Sequence, residues 1–203
     1  METLKMNNLS VINTNLQTCT ACNLYKNNPI GTTPVSGCGS NQSQLMVVGE
    51  CPGISEIYGG EPFIGRSGKL LRKVMKDSGI DMTNVYITNV NKCLSRQGNK
   101  NVPANKKDQH CCRNNWLIPE MKIIRPKVIM PLGKIPLENV WIKPVDLASM
   151  IEISPLVLEY DNGDKSHVVA NYHPSFILQY GKKYFDIFSR QIRLAKELLD
   201  GKV

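Results

Sequence analysis

The chain has 203 residues, 41% of them apolar, and carries 25 Lys and Arg against 17 Asp and Glu, a net charge of +8. That length supports one domain, spanning 1–203, and is short for two independent cores. No uncharged apolar span long enough for a bilayer and no leader pattern occurs, so a soluble intracellular protein is expected, cytoplasmic or, in a eukaryotic host, nuclear, with no membrane partner. In chain order, residues 1–16 pattern weakly as a short helix leading into Cys19, and 23–43, dense in Gly, Pro, Ser, Thr and Asn, read as a long loop. The apolar run 44–48 is a buried strand ended by Gly49 and Gly53. From Gly68 the period changes: Leu70, Leu71, Val74 and Met75 share one helical face, Lys69, Arg72, Lys73 and Lys76 lie largely on the other, and Gly79 is the stop. A second strand covers 84–89, a polar basic loop 91–107, and a helix weakened by Pro119 the stretch 116–124. A third strand covers 127–132. Residues 141–165 give no clear pattern beyond a turn at 161–164. A fourth strand, 166–170, runs into "NYHPS", and Tyr184, Phe185, Phe188, Ile192, Ala195 and Leu199 define a closing amphipathic helix.

Strands separated by helices predict an α/β fold, a three-layer α-β-α arrangement around a mostly parallel four-stranded sheet. Ligand sites in such sheets lie beyond the C-terminal strand ends. Three polar segments, 49–65, 89–93 and 171–175, all follow strands.

The seven cysteines do not suit a disulfide framework in a chain of this size. Cys19 and Cys22 have metal-ligand spacing, Cys93 follows the second strand, and Cys111 and Cys112 are adjacent. Thiolates select zinc or iron-sulfur, and the spacing does not choose between them; His110 is a rival ligand for a zinc site. Cys38 and Cys51 read as small buried hydrophobes. "SGKLL" has the Gly and Lys of a phosphate-binding loop, but Leu70 stands where a hydroxyl would hold magnesium, which argues against a nucleotide hydrolase.

"GECPG" followed by "GEPFIGRSGKLL", then "YITNVNKC" and "NYHPSFIL", together with the cysteines, resemble the uracil-DNA glycosylase superfamily, specifically its iron-sulfur family 4. The resemblance runs from about Cys19 to the C-terminal helix. It implies a [4Fe-4S] cluster on Cys19, Cys22, Cys93 and Cys112, with Cys111 as the substitute, tying the N-terminal arm to the domain. It implies a uracil pocket of Gly49, Glu50, Cys51, Gly53, Phe63, Asn89 and His173, with His173, Glu50 and Asn89 catalytic.

Each implied role suits its residue. A Phe face stacks on any base. An Asn amide answers uracil O4 and N3–H together. A histidine donor aimed at O2 stabilises the leaving uracil anion more than the bound substrate. The implied reaction is monofunctional hydrolysis of the N-glycosidic bond of deoxyuridine in single- or double-stranded DNA, the opening step of base excision repair, by a monomer. Implied DNA contacts are Ser67, Lys69, Arg96, Ser175, Lys182 and Lys183, with an apolar wedge in 174–183. The chain departs from the family at Ile57, where a second acid is usual, at Cys51, where Ala is usual, and after Cys93, which favours as the alternative a non-catalytic DNA-binding or replication-associated protein on the same scaffold.

Overall fold

The computed structural model describes residues 8–98 and 100–203, with the side chain of Lys182 outside the described set. Parallel strands buried on both faces read as continuous apolar runs, and that is how β1 (Leu45–Gly49), β5 (Val128–Pro131) and the first three residues of β2 (Val85–Asn89) are written, β2 ending in the buried polar pair Thr88 and Asn89. They lie in the order β2-β1-β5-β7-β6, where β7 is Lys165–Val168 and β6 is Leu156–Glu159. β2, β1, β5 and β7 are mutually parallel, and β6 pairs antiparallel with β7.

The sheet is therefore five-stranded, one strand more than expected. The extra strand is an edge: alternate residues of β6 are exposed, and it pairs only with β7, across a turn, so its place in the sheet rests on a pairing and not on a fully buried run. A separate two-stranded ribbon, β3 (Arg96–Gln97) with β4 (Lys100–Asn101), rises from the loop expected to be irregular.

The two faces of the sheet bury different sets. Leu45, Val47, Val85, Ile87, Val128 and Met130 meet α3 (Arg66–Asp77), α8 (Pro174–Tyr180) and α9 (Lys182–Leu199) through Leu71, Met75, Ile177, Phe188 and Ile192. Met46, Val48, Tyr86 and Ile129 meet the opposite layer. That layer holds α1 (Leu9–Leu16), α5 (Ile118–Ile124), α6 (Lys134–Trp141) and α7 (Leu147–Glu152). The period-2 alternation along each strand thus builds the three layers. Helix α4 (Lys106–Cys112) runs into α5 through a widened π turn, Arg113–Leu117. Pro119, which lacks the N–H that a regular turn would use, lies just past that turn and does not end the helix.

Parallel pairing brings the C-termini of β2, β1, β5 and β7 to one end. Gly49 pairs with Asn89, and Leu132 bridges to Asn171, two residues before His173. The three polar segments converge there.

Candidate active site

The segment after β1 crosses the strand ends as a loop containing α2 (Ile54–Gly59) and returns into α3. The Glu56 carboxylate holds it closed, accepting from Gly53 N at 3.1 Å and Gly65 N at 2.8 Å. A Cβ at Gly53 would stand 2.7 Å from a Glu56 oxygen, so glycine there is what admits the carboxylate. Glu56 is accordingly a brace of the loop. Its neighbour Ile57 is buried with Val35 and Leu94, so an acid at that position would enter an apolar cluster and not the cleft. The departure at Ile57 therefore leaves the cleft itself unchanged.

A cleft of about 350 Å³ lies under this loop, lined by Cys51, Gly53, Phe63, Ser67, Asn89 and His173 among others. A connected lobe of about 290 Å³ adds Glu50, Ser95 and Val102, and both share Cys51, Gly53, Asn101, His173 and Ser175. All seven residues expected around a base are brought together, with Gly49 beneath: a Cβ there would stand 2.3 Å from Asn89 Oδ1 and 2.6 Å from the Phe63 ring. Only a glycine lets both side chains reach the strand end.

The polar groups of the cleft are unusually free. Among the described residues the buried Asn89 carboxamide has no hydrogen-bond partner, although buried polar groups are ordinarily satisfied. The Glu50 carboxylate likewise has none, and burial pushes its carboxyl above the ordinary range. His173 caps α8: Ser175 N donates to its Nδ1 at 3.1 Å, and Ser175 Oγ lies 2.7 Å from the same nitrogen. A backbone N–H only donates, so Nδ1 carries the lone pair and the ring proton sits on Nε2. Burial pulls the His173 imidazolium pKa down to about 4, a Coulombic pull from Glu56 opposing it. The ring is therefore neutral near pH 7 and still an N–H donor. Its plane is tilted 37° to Phe63, with centroids 5.8 Å apart.

Of the expected DNA contacts, Ser67 and Ser175 line the cleft and Lys69 is exposed on α3. Arg96 lies on the ribbon, and Lys183 stands exposed over the Tyr184 ring at 5.6 Å; the Lys182 side chain lies outside the described residues. The apolar wedge segment folds as α8, exposing Leu178 and Tyr180. Among the cleft residues that escaped sequence reasoning are Arg66 at the start of α3, and Asn101, which lines both lobes. Asn101 reaches the mouth only because β3 and β4 pair, and no local pattern announces a two-residue strand.

On the other side of the β2 loop, Cys19, Cys22, Cys93, Cys111 and Cys112 line one small cavity with Leu16, Leu24, Trp116 and Lys92. The Cys93 thiol is pushed up to about 12, first by burial and then by Cys22 and Cys19; Cys112 is raised by burial and further by Cys22 and Cys93. Each would-be thiolate opposes the next, so the donor set suits a cationic soft-metal centre, which removes that opposition. Among the described residues no three His, Cys, Asp or Glu side chains converge on the point a single ion needs. The cysteines ring a cavity instead.

His110 stands outside this cavity, its nitrogens engaged by Arg113 at 3.1 Å and Asn114 at 2.9 Å. Cys38 is exposed, contrary to expectation, although its backbone bridges to the buried Ile87 on β2. Cys51 is half-buried, lines the cleft and accepts from Asn91 Nδ2 at 3.3 Å. Among the described residues no helix is long and apolar enough to cross a membrane.

A family model described as the uracil DNA glycosylase superfamily matches residues 36–195. The chain is 33% identical over 175 residues to a type-4 uracil-DNA glycosylase of Archaeoglobus fulgidus, covering 85% of this chain and 84% of that protein. It is 32% identical over 171 residues to a type-4 uracil-DNA glycosylase of Thermotoga maritima, covering 84% and 83%. It is 29% identical over 200 residues to another of Saccharolobus solfataricus, covering 97% and 89%.

Proposed function

The chain belongs to the uracil-DNA glycosylase superfamily, with the type-4 enzymes, and from that premise we propose how its residues divide the work of excising uracil from DNA. The activity is hydrolysis of an N-glycosidic bond, consistent with base excision repair. The observation that carries the mechanism is the neutral His173, protonated at Nε2, beside an unpartnered Asn89 and the Phe63 face at the strand ends.

A base buried in a duplex is out of reach, so the nucleotide is extruded into the cleft, at a cost of a few kcal/mol in lost stacking and pairing. Phe63 stacks on the base. Asn89 offers an acceptor to N3–H and a donor to O4, the opposite of what cytosine needs at both positions. As the C1′–N1 bond breaks, the electron pair goes to the uracil ring, and His173 Nε2–H donates to O2, where negative charge grows. A preorganised donor of this kind contributes about 10²–10³ in rate. The Glu50 carboxylate, in the connected lobe, orients the attacking water and faces the positive charge developing at C1′. Water oxygen bonds to C1′, its proton is released, and uracil leaves an abasic site. No lysine acts as nucleophile, so no strand cleavage accompanies the reaction.

Cys19, Cys22, Cys93 and Cys112 are the proposed ligands of a [4Fe-4S] cluster. Cys112 is favoured over Cys111 because it is buried in the cavity, feels both Cys22 and Cys93, and accepts from Lys92 N at 3.3 Å. Such a cluster supplies a crosslink between the N-terminal arm and the loop after β2. Ser67, Lys69, Arg96, Ser175, Lys182 and Lys183 are the proposed DNA contacts, and the enzyme is proposed to work as a monomer on single- or double-stranded DNA.

The test is incubation of anaerobically purified protein with single-stranded, U:A and U:G oligonucleotides, followed by alkaline cleavage of abasic sites. Strand scission only after alkali, at the uracil, is expected. No scission on any substrate overturns the mechanism. About four irons per chain with absorbance near about 400 nm supports the cluster, and stoichiometric zinc in its place overturns it.

A further inference from the structure

Phe63 occupies the left-handed backbone region, φ 56°, which a bulky L-residue rarely adopts. A strained residue persists where its surroundings hold it, and what holds this one is visible. Arg72, in the second turn of α3 and half-buried, donates from Nε to the Phe63 carbonyl at 3.3 Å and from Nη2 to the Pro62 carbonyl at 3.2 Å. Among the described residues no carboxylate pairs with it, so this two-carbonyl grip is its role in the fold. Gly68 completes the seat: a Cβ there would lie 1.8 Å from the Phe63 carbonyl oxygen, so α3 can pass beneath the turn only as glycine. With both carbonyls drawn down onto α3, the Phe63 ring is committed to the opposite side, over Gly49 and beside His173.

We propose that Arg72 is a positioning residue for base recognition, its guanidinium fork holding the Pro62–Phe63 carbonyls so that the Phe63 ring is preset as the stacking face before a base arrives. This rests on the reading of Phe63 as the stacking residue. Arg72 touches neither base nor reacting atoms. A relaxed turn would let φ return to negative values and carry the ring away from the cleft. The geometry needs a planar two-pronged donor, which an ammonium does not reproduce. Because stacking is made equally with bound base and with the transition state, Arg72 acts on affinity and not on the chemical step.

The experiment compares Arg72→Met, Arg72→Lys, Phe63→Ala and the Arg72→Met/Phe63→Ala double variant, by steady-state kinetics on a uracil-containing single strand and by inhibition with free uracil. Arg72→Met is expected to raise KM and the uracil inhibition constant about tenfold each, within what one base stack is worth, with kcat held within about twofold. Arg72→Lys is expected to fall between it and the parent, and the double variant to be no worse than Phe63→Ala alone. Unchanged KM and inhibition constant, a fall confined to kcat, or independent losses in the double variant each overturn the proposal. If Arg72→Met does not fold, Arg72→Lys decides by the same KM and inhibition readings. An unaltered Phe63→Ala variant overturns the stacking reading instead, which separates the two failures.

Discussion

The two sides of the segment Asn89–Cys93 are built by opposite rules. On the cleft side, Asn89 and Glu50 have no partners among the described residues, His173 is held neutral by burial, and Phe63 sits in a strained turn. On the cysteine side the polar groups close on one another. Lys92 Nζ, only 1% exposed, meets both oxygens of the fully buried Glu120 at 2.8 Å and Thr88 Oγ1 at 2.5 Å, and Glu120 also accepts from Thr88 and Tyr86. The difference shows where each region meets its counterpart. The cleft leaves its hydrogen bonds unmade, as the proposed base recognition requires, whereas the network is satisfied within the chain and fixes the loop that carries Cys93. Adjacent residues divide the two tasks, because Thr88 and Asn89 project to opposite faces of β2.

The sharpest way to break this contrast is to unbalance the closed side. Lys92→Met leaves Glu120 buried without its cation and is expected to cost about 3–5 kcal/mol in denaturant unfolding, whereas Lys92→Met with Glu120→Leu recovers most of that. A neutral Lys92→Met would mean that the network is not an ion pair. On the open side, His173→Ala is expected to lower kcat about 10²–10³-fold, roughly 2.7–4 kcal/mol of transition-state stabilisation. The loss of its cap on α8 costs only about 1 kcal/mol of stability. Equal losses in kcat and stability would make His173 a structural cap and no more.

Acid sharpens the same contrast. The folded-state pKa of His173 lies at about 4, below the unfolded value of about 6.5. The unfolded chain therefore binds the extra proton first, and stability is complete above about 6.5 and declines as pH falls toward about 4. Unfolding midpoints measured across that window should fall, and the fall should lessen in His173→Asn. In its proposed role of orienting water, Glu50, raised by burial, acts ionised, so kcat/KM should decline on acidification from above the ordinary carboxylate range, with a limb that Glu50→Gln abolishes. The smallest effect belongs to the exposed surface: Lys69→Ala should reduce the salt slope of DNA binding by about one and leave kcat unchanged. An unchanged slope would return Lys69 to a solvated helix face.

The fold was legible where residues are buried on both faces. The four strands expected near 44–48, 84–89, 127–132 and 166–170 all form, as do the helices with strong apolar stripes, α3 and α9. What escaped was the half-exposed edge strand β6, the ribbon carrying Asn101, and the continuity of α4 with α5 through the π turn Arg113–Leu117. In each case few residues are involved, and pairing partners distant in sequence decide the outcome. The site followed the same division. "GECPG", "TNVNKC" and "NYHPS" located Glu50, Asn89, Cys93 and His173 by order along the chain. Ile57, where the family's second acid is absent, is buried with Val35 and Leu94, a placement no local pattern announces, and nothing local marked Arg72 as different from the lysines beside it.

The sequence alone determined which residue types are present and on which strand ends they fall, because apolar period and glycine placement are local properties of the chain. It also determined the number of thiols and their spacing. Only the tertiary structure decided that Phe63 turns left-handed under the grip of Arg72, that Glu56 braces the loop, and that Lys92 is paired inside the protein. Those outcomes depend on carbonyls, amides and carboxylates that meet across α3, the β1 loop and α5, and such meetings are fixed by packing and not by neighbours in the chain.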